Sequence, residues 1–333
     1  MVNTERPRQL VFFGPPGTGK SYHINKICAS HRTFRVTIHP EYTYSDFAGQ
    51  LLPTSDVNGN VTFEFVAGPF TQSLAYAFTH RDEVVYLVLE ELSRGNVAAI
   101  FGDLFQLLDR DSATGASAYP VHNSQIASYL PEIEENIAAR TPDSIFLPAN
   151  LSILASVNTS DQSVMPIDTA FKRRFDWEYV STTPIYDTSD QSAYLNNPVI
   201  PLTHDATITS VTWVQLYQSI NDYILDGHSP IGVNEDKQLG QFFISFDRAD
   251  IVGSYSDDPD AYGRIHKMIA NKLLMYLWED VEGVNSVGSQ RSERLFVPNA
   301  RSFAELQSLF YSEQVFSDYF FERYLSQHTG HIA

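Results

Sequence analysis

The most informative segment of this sequence is Gly14-Pro-Pro-Gly-Thr-Gly-Lys-Ser21. It follows the apolar run Leu10–Phe13, which predicts a short buried strand, and precedes residues 22–28, whose apolar spacing is helical. Strand, glycine-rich loop and helix in this order are the context that the pattern G-x-x-x-x-G-K-[ST] requires. A glycine-rich turn without a ligand is the competing interpretation, but all eight positions match the phosphate-binding pattern.

Each residue type in this loop has a chemical reason. Glycines let the backbone approach phosphate oxygens, and the loop N–H groups with the helix N-terminus form a positive concavity. Lys20 is expected to reach the β- and γ-phosphates, and Ser21 to place its hydroxyl on Mg²⁺. The predicted nucleotide-binding residues are Gly14, Pro15, Pro16, Gly17, Thr18, Gly19, Lys20, Ser21 and Tyr22.

A second strand ends in a pair of acids. Residues 84–89 form a continuous aliphatic run, typical of a central parallel strand, and Glu90 and Glu91 follow it. A solvated pair at a strand end is the alternative, but a parallel sheet brings these carboxylates to the crevice of the phosphate loop. We assign Mg²⁺ binding to Glu90 and orientation of the attacking water to Glu91. Aspartate is usual at the first position, so the longer Glu90 predicts a different path to the metal or weaker binding.

A third buried strand, residues 151–157, ends at Asn158, which is expected to hydrogen-bond the water or the γ-phosphate. Further on, residues 168–175 form a short helical segment that carries Lys172, Arg173 and Arg174. Adjacent basic residues usually form a solvated face. In a ring-forming ATPase or GTPase, however, an arginine here projects into the neighbouring subunit's site and stabilises transition-state charge.

Four stretches resemble the McrB family, the AAA+ GTPase subunits of McrBC-type (type IV) modification-dependent restriction systems. Glu90-Glu-Leu-Ser-Arg-Gly-Asn96 with Ile100-Phe-Gly-Asp-Leu104 is similar to D-E-I-N-R-G-N and I-F-G-E-L. Residues 146–161 are similar to F-x-x-P-x-N-L-x-I…M-N-T-A-D, residues 39–47 to H-P-S-Y-S-Y-E-D-F, and Gly68-Pro-Phe70 to the family's G-P-F turn. Together they span roughly residues 10 to 180. The departures are Glu90 for Asp, Leu92-Ser93 for Ile-Asn, and Gln162 for Arg.

The resemblance implies a fold and a set of partners. The fold is a P-loop AAA+ three-layer αβα sandwich with a parallel sheet over residues 1–183, followed by a small α-helical lid over 184–333. Asn158 and Asp161 become sensor residues that position the water, and Arg173 and Arg174 become arginines acting in trans. The expected cofactors are Mg²⁺ and GTP, with ATP as the alternative. The expected partners are further copies in a hexameric ring, an McrC-like nuclease subunit that the motor activates, and DNA that the complex translocates.

Charge and cysteine content restrict the partners further. Lys and Arg total 22 against 40 for Asp and Glu, a formal net charge of -18, so DNA is expected to be met through the complex rather than this acidic chain alone. The single Cys28 fits a reducing, cytoplasmic setting, and no run is long enough to suggest a signal or membrane segment.

The phosphate loop begins at residue 14, so the separate N-terminal DNA-reading domain of McrB is not expected within this sequence. That module is expected on another polypeptide or in a trimmed segment.

Residues 181–190 have the composition of a linker, and the sequence after them predicts a second, mainly helical domain. Apolar residues at three- and four-residue intervals predict helices over 211–225, 260–281 and 303–325, the last an aromatic stripe that we interpret as core and subunit interface. Residues 227–243 are similar to the family's G-x-D-x-Q-I-G-H-S-Y-F, so Lys237 or Gln238 is expected to approach the nucleotide. The polar stretch 109–141, with a short acidic helix near 131–139, faces the pore, a partner or merely solvent.

Two other functions share parts of this pattern. A MoxR-like ATP-dependent AAA+ chaperone has a similar acidic strand end. A nucleotide-gated scaffold with feeble hydrolysis is compatible with the substitution at Glu90.

Overall fold

The computed structural model describes residues 7–131, 143–159, 165–187, 193–226, 234–247, 259–282 and 293–330. Two predicted features, the acidic helix at 131–139 and the sensor residue Asp161, lie outside the described residues, the helix except for its first residue. The chain forms two compact units. The first contains the residues up to Phe13 and Lys20–Tyr179, and the second contains Gly14–Gly19 and the residues from Val180 onward. The domain boundary expected at residue 183 stays a prediction.

The first unit is built on a five-stranded sheet. Its strands are β1 (Gln9–Gly14), β2 (Arg32–Thr37), β5 (Val85–Glu90), β8 (Leu151–Asn158) and β9 (Asp176–Tyr179). They lie in the order β2-β5-β8-β1-β9, and the pairs β2–β5, β5–β8 and β1–β9 are parallel, as the sequence predicts. Each central strand is a short apolar run whose side chains are buried on both faces, which is typical of a parallel sheet covered by helices.

Helices and two small hairpins surround this sheet. The helices are α1 (Lys20–Cys28), α2 (Tyr44–Ala48), α3 (Pro69–Thr79), α4 (Val97–Phe101), α5 (Ser124–Tyr129) and α6 (Thr169–Lys172), with 3₁₀ turns at Leu92–Arg94 and Gly102–Leu108. The hairpins pair β3 (Gly49–Ser55) with β4 (Val61–Ala67), and β6 (Val121–His122) with β7 (Ser144–Ile145). One apolar cluster, containing Val11, Leu87 and Ile153, forms the core between sheet and helices.

The second unit is mainly helical, but it opens with a β-hairpin that the periodicity does not predict. Strands β10 (Val199–His204) and β11 (Thr207–Thr212) pair antiparallel, so Val211 belongs to the hairpin and not to the predicted helix. Helix α7 (Trp213–Leu225) begins after Thr212, whose side chain forms a capping box with Gln215.

The other helices of this unit pack around one apolar core with α7. They are Pro259–Met268, continued by helical turns to Glu282, then Phe303–Ser312, and then Asp318–Phe320, continued to Thr329. The predicted helix over 303–325 is therefore broken, because Glu313 is extended (φ -143°, ψ -170°). Among the described residues, no helix combines the length and apolarity needed to cross a membrane.

Candidate nucleotide-binding site

The phosphate loop has the backbone geometry that its glycines allow. Gly17 has a φ of +76°, and a Cβ at this position would lie 2.3 Å from the backbone nitrogen of Phe243. The Thr18 hydroxyl donates to the Pro15 carbonyl at 3.0 Å and closes the turn. Only glycine fits at Gly17, because both the left-handed conformation and the close backbone approach exclude a side chain.

Residues 238–243 of the same compact unit hold this loop, and we call them the strap. The Gly240 N–H donates to the Pro16 carbonyl at 2.9 Å, and the Phe242 N–H donates to the Gly17 carbonyl at 2.8 Å. On its other side the strap is fixed by buried polar groups. The Gln241 carbonyl accepts from Asn196 Nδ2 and from Trp213 Nε1, each at 2.7 Å. Three carbonyls of the loop, those of Pro15, Pro16 and Gly17, therefore already accept hydrogen bonds.

Lys237, expected near the nucleotide, is instead buried in an ion pair with Asp280 at 2.8 Å. Gln238 is also buried. The segment singled out by its resemblance thus contacts the loop, but through the backbone of Gly240 and Phe242 rather than through either predicted side chain.

Lys20 is the first residue of α1 and is 7% exposed. Burial lowers the pKa of its ammonium to about 8, while the negative charges of Glu91 and Glu90 act in the opposite direction. Desolvation strengthens electrostatic attraction to an incoming phosphate, so this burial suits the predicted role of Lys20.

Glu90 is at the C-terminal end of β5, with its carboxylate surrounded by donors. Ser21 Oγ donates to Glu90 Oε2 at 3.2 Å, and Ser156 Oγ donates to the same oxygen. Arg35 forms an ion pair with the other oxygen, Oε1. The structure therefore brings Ser21 and Glu90, the two predicted metal ligands, into direct contact.

Glu91 is held in an uncommon conformation, with a φ of +56°. Asn158 Nδ2 donates to its Oε1 at 2.5 Å, and its own N–H donates to Ser156 Oγ at 3.2 Å. The Arg94 Nε lies 3.4 Å from Oε2, yet this buried oxygen accepts no hydrogen bond from the residues that the structure describes. A non-glycine residue with positive φ is costly and is typical of functional sites, where neighbours enforce it.

These residues fit a Mg²⁺-nucleotide. A hydroxyl and a carboxylate 3.2 Å apart are the hard oxygen donors that Mg²⁺ prefers, and Lys20 lies close enough to interact electrostatically with both acids. The unsatisfied oxygen of Glu91 could accept a hydrogen bond from a water beside that metal.

The two predicted trans arginines differ in their surroundings. Arg174 is bound within its own protomer: its Nη2 lies 2.6 Å from Asp109 Oδ2, and its guanidinium lies over the Phe105 ring at 4.2 Å. Arg173 is exposed, and its side chain forms no ion pair with any residue in the described ranges. Of the pair, only Arg173 is available to an adjacent copy in this structure.

Tyr22, predicted to bind the nucleotide, is 64% exposed and follows Ser21 on α1.

Three residues at this site, Arg35, Arg94 and Ser156, had no predicted role, although Arg94 lies in the stretch 90–96 that carries the family resemblance. Ser156 could have been found, because alternate residues of a strand share a face and Ser156 is two residues before Asn158. Arg35 belongs to an edge strand with mixed exposure, where a charged side chain gives no such signal.

The sheet order, the phosphate loop and the polar ends of β5 and β8 together define a P-loop nucleoside triphosphatase of the AAA+ class. Residues 9–175 match the family described as AAA domain (dynein-related subfamily). The chain belongs to this family and, within it, to the McrB-like AAA+ restriction proteins.

Two curated relatives support this assignment. The chain is 31% identical over 329 residues to YdiS, a component of the type II restriction enzyme BsuMI of Bacillus subtilis (strain 168), covering 90% of this chain and 84% of that protein. It is 25% identical over 197 residues to the EcoKMcrB subunit of a type IV methyl-directed restriction enzyme of Escherichia coli (strain K12), covering 57% and 38%. The match therefore spans well under half of the EcoKMcrB subunit. Neither relative is a chaperone, so the MoxR-like alternative is not favoured.

Proposed function

We propose that this chain is the nucleotide-hydrolysing motor subunit of an McrBC-like restriction complex. The observation that carries the proposal is the convergence of Lys20, Ser21, Glu90, Glu91 and Asn158 at one edge of the sheet. The names of the relatives, both restriction components, supply the biological setting.

Each group at this edge has a defined task. Lys20 neutralises the β- and γ-phosphates, while Ser21 and Glu90 hold Mg²⁺, which stabilises charge on the transferring phosphoryl group when bound. Glu91 accepts a hydrogen bond from the attacking water through Oε2, which accepts none from the described part of the chain, and Asn158 fixes the other oxygen. The carboxylate is thereby aimed before the nucleotide arrives.

GTP is the proposed nucleotide, from the resemblance to McrB proteins, and ATP is the alternative. The proposed assembly is a ring, hexameric by the same resemblance, in which Arg173 of one copy completes the site of the next. A nuclease subunit like McrC binds the ring and is activated by it. DNA is translocated by the whole complex, since a net charge of -18 opposes binding of a phosphate backbone to this chain alone.

The test is a hydrolysis assay with GTP and ATP, each with and without the proposed McrC-like nuclease subunit. We expect GTP to be hydrolysed faster than ATP and the nuclease to stimulate turnover. Lys20→Met should abolish nucleotide binding, whereas Glu91→Gln should bind nucleotide and not hydrolyse it. Absence of turnover with both nucleotides and the partner would end the motor proposal, and tight binding without turnover would favour a nucleotide-gated scaffold.

Assembly is tested separately by mass photometry with a hydrolysis-resistant GTP analogue. We expect wild type and Glu91→Gln to form a ring-sized species and Lys20→Met to remain small. A monomer under all conditions would contradict the ring and the trans role of Arg173 together.

A further inference from the structure

We propose that Arg35 is a positioning residue that acts through Glu90 to lower the affinity of the site for Mg²⁺. This inference rests on the proposed nucleotide-hydrolysing function. It assigns a task to a side chain that belongs to no recognised motif of the sequence.

The geometry ties Arg35 to two elements of the site. Its guanidinium forms an ion pair with Glu90 Oε1. Its Nη2 donates to Asn25 Oδ1 of α1 at 2.5 Å, so the side chain bridges the helix after the phosphate loop and the acidic strand. The Glu90 side chain is 13% exposed and that of Arg35 is 35% exposed, so this pair is more protected from solvent than an ordinary surface salt bridge.

Positive charges outnumber negative ones at this site. Lys20, Arg35 and Arg94 carry three positive charges, and Glu90 and Glu91 carry two negative ones. Without Arg35 the positive and negative charges of this group would be equal in number. A dication binding beside Glu90 is repelled by Arg35, and it must share a carboxylate that Arg35, Ser21 and Ser156 already contact.

The pair also explains why glutamate can stand where the family has aspartate. The extra methylene extends the carboxylate by about 1.5 Å, and an aspartate at position 90 would fall short of Arg35 by a similar distance. Arg35 and Glu90 are therefore expected to act as one unit. A purely structural ion pair would instead affect folding stability and leave metal affinity unchanged.

Metal binding is measured directly, with Mn²⁺ as the probe. Electron paramagnetic resonance follows Mn²⁺ binding to the protein saturated with a hydrolysis-resistant GTP analogue. We expect Arg35→Met to bind Mn²⁺ about tenfold more tightly, because it removes one unit charge near the metal, and solvent reaching the partly exposed Arg35 screens much of that repulsion. The Mg²⁺ concentration for half-maximal hydrolysis should fall by a similar factor.

Arg32 provides the matched control. It is on the same strand, about 10 Å from Arg35 along β2, and is exposed, with its guanidinium over the Phe34 ring at 4.9 Å. Arg32→Met removes the same charge from the same strand, so its Mn²⁺ affinity should stay within twofold of wild type. Thermal unfolding in the absence of nucleotide confirms that both variants are folded.

A double-mutant cycle with Glu90→Asp tests the coupling. Arg35→Met should raise Mn²⁺ affinity about tenfold in the wild-type background and by a smaller factor in the Glu90→Asp background, where only the charge repulsion between Arg35 and the metal remains. Equal Mn²⁺ affinities of wild type, Arg35→Met and Arg32→Met, or weaker binding in Arg35→Met alone, would overturn the inference. If wild type itself bound no Mn²⁺-nucleotide, the proposed function would fail first, so the two failures are distinguishable.

Discussion

Asn158 and Glu91 are bonded to each other: the Asn158 amide donates to Glu91 Oε1 at 2.5 Å. The two residues end or follow neighbouring strands, β8 and β5, and meet at the carboxyl edge of the sheet. Glu91 also has a positive φ, so its carboxylate is fixed both by its backbone and by its partner.

This contact predicts that mutation of Asn158 lowers the hydrolysis rate and leaves nucleotide affinity almost unchanged. Asn158→Ala should lower the single-turnover hydrolysis rate on the order of 100-fold, because Glu91 is no longer aimed and a donor is lost. Nucleotide affinity should stay within threefold, since Lys20 and the loop are unchanged. Stopped-flow binding and quenched-flow hydrolysis measure the two quantities, with Glu91→Gln as the reference for loss of the carboxylate. Loss of binding in Asn158→Ala would contradict this assignment.

The strap predicts that Gly240 cannot carry a side chain. A Cβ at Gly240 would lie 2.3 Å from both the Gly17 carbonyl carbon and the Thr18 nitrogen, which are backbone atoms that cannot rotate away. Gly240→Ala should therefore break the bonds to Pro16 and Gly17, lower the melting temperature and weaken nucleotide binding tenfold or more.

Gly263→Ala is the control for that variant. A Cβ there meets nothing within 4 Å, and the residue is in the helix Pro259–Met268, where alanine is favoured over glycine by about 0.5–1 kcal/mol. It should leave nucleotide affinity unchanged and raise stability slightly. Equal nucleotide affinity in the two variants would show that the strap does not shape the loop.

Much of the fold was predictable because local signals agreed. The runs before Gly14 and Glu90 are apolar throughout and stop at a glycine and at a glutamate, and the strands found there match the predicted ones closely. Hairpin β3–β4 gave no such signal, because nearly all of its residues, including Leu51 and Phe63, are exposed and show no alternation of burial. Its pairing depends on the turn and not on a buried face.

The site was predictable only in part, for a related reason. Lys20, Ser21 and Asn158 follow strands or loops whose end points can be found in the sequence. The Gly240–Pro16 bond joins residues over 200 positions apart, and no periodicity reports such a contact. The pairing of Arg35 with Glu90 likewise depends on strand order, which places β2 beside β5.

Mutation of the two arginines after α6 should affect different properties, stability for Arg174 and hydrolysis for Arg173. Arg174→Ala should destabilise the protein by about 2 kcal/mol, because it removes a partly buried ion pair with Asp109 and the contact with Phe105. Arg173→Ala should leave the melting temperature unchanged and lower steady-state hydrolysis on the order of 1000-fold if the side chain acts in trans. Calorimetry and turnover measurements distinguish the two outcomes.

A mixing experiment tests whether Arg173 acts on a neighbouring copy. Glu91→Gln has an intact arginine and is expected to assemble but not to hydrolyse, and Arg173→Ala has an intact Glu91 but no arginine. A mixture of the two should hydrolyse more nucleotide than either alone, because some sites combine a wild-type Glu91 with a wild-type arginine. If the mixture is no more active than the sum of its parts, Arg173 does not act in trans.

His266 predicts a pH-dependent stability. The side chain is buried, stacks on Phe310 at 4.1 Å, and has its pKa lowered from 6.5 to about 4 by burial. The unfolded chain therefore binds a proton below pH 6.5 that the folded chain does not take up until about pH 4, so stability is full above pH 6.5 and falls as the pH drops through this window. At pH 5 the loss of folding stability is about 2 kcal/mol.

The variant His266→Phe tests this prediction. It keeps a ring against Phe310 and should show a smaller drop in melting temperature between pH 7.5 and 5 than wild type. His122→Gln, which removes an exposed histidine, should behave like wild type. The same pH response in all three proteins would exclude His266 as the source, because only its burial, and not the presence of a histidine, produces the predicted difference.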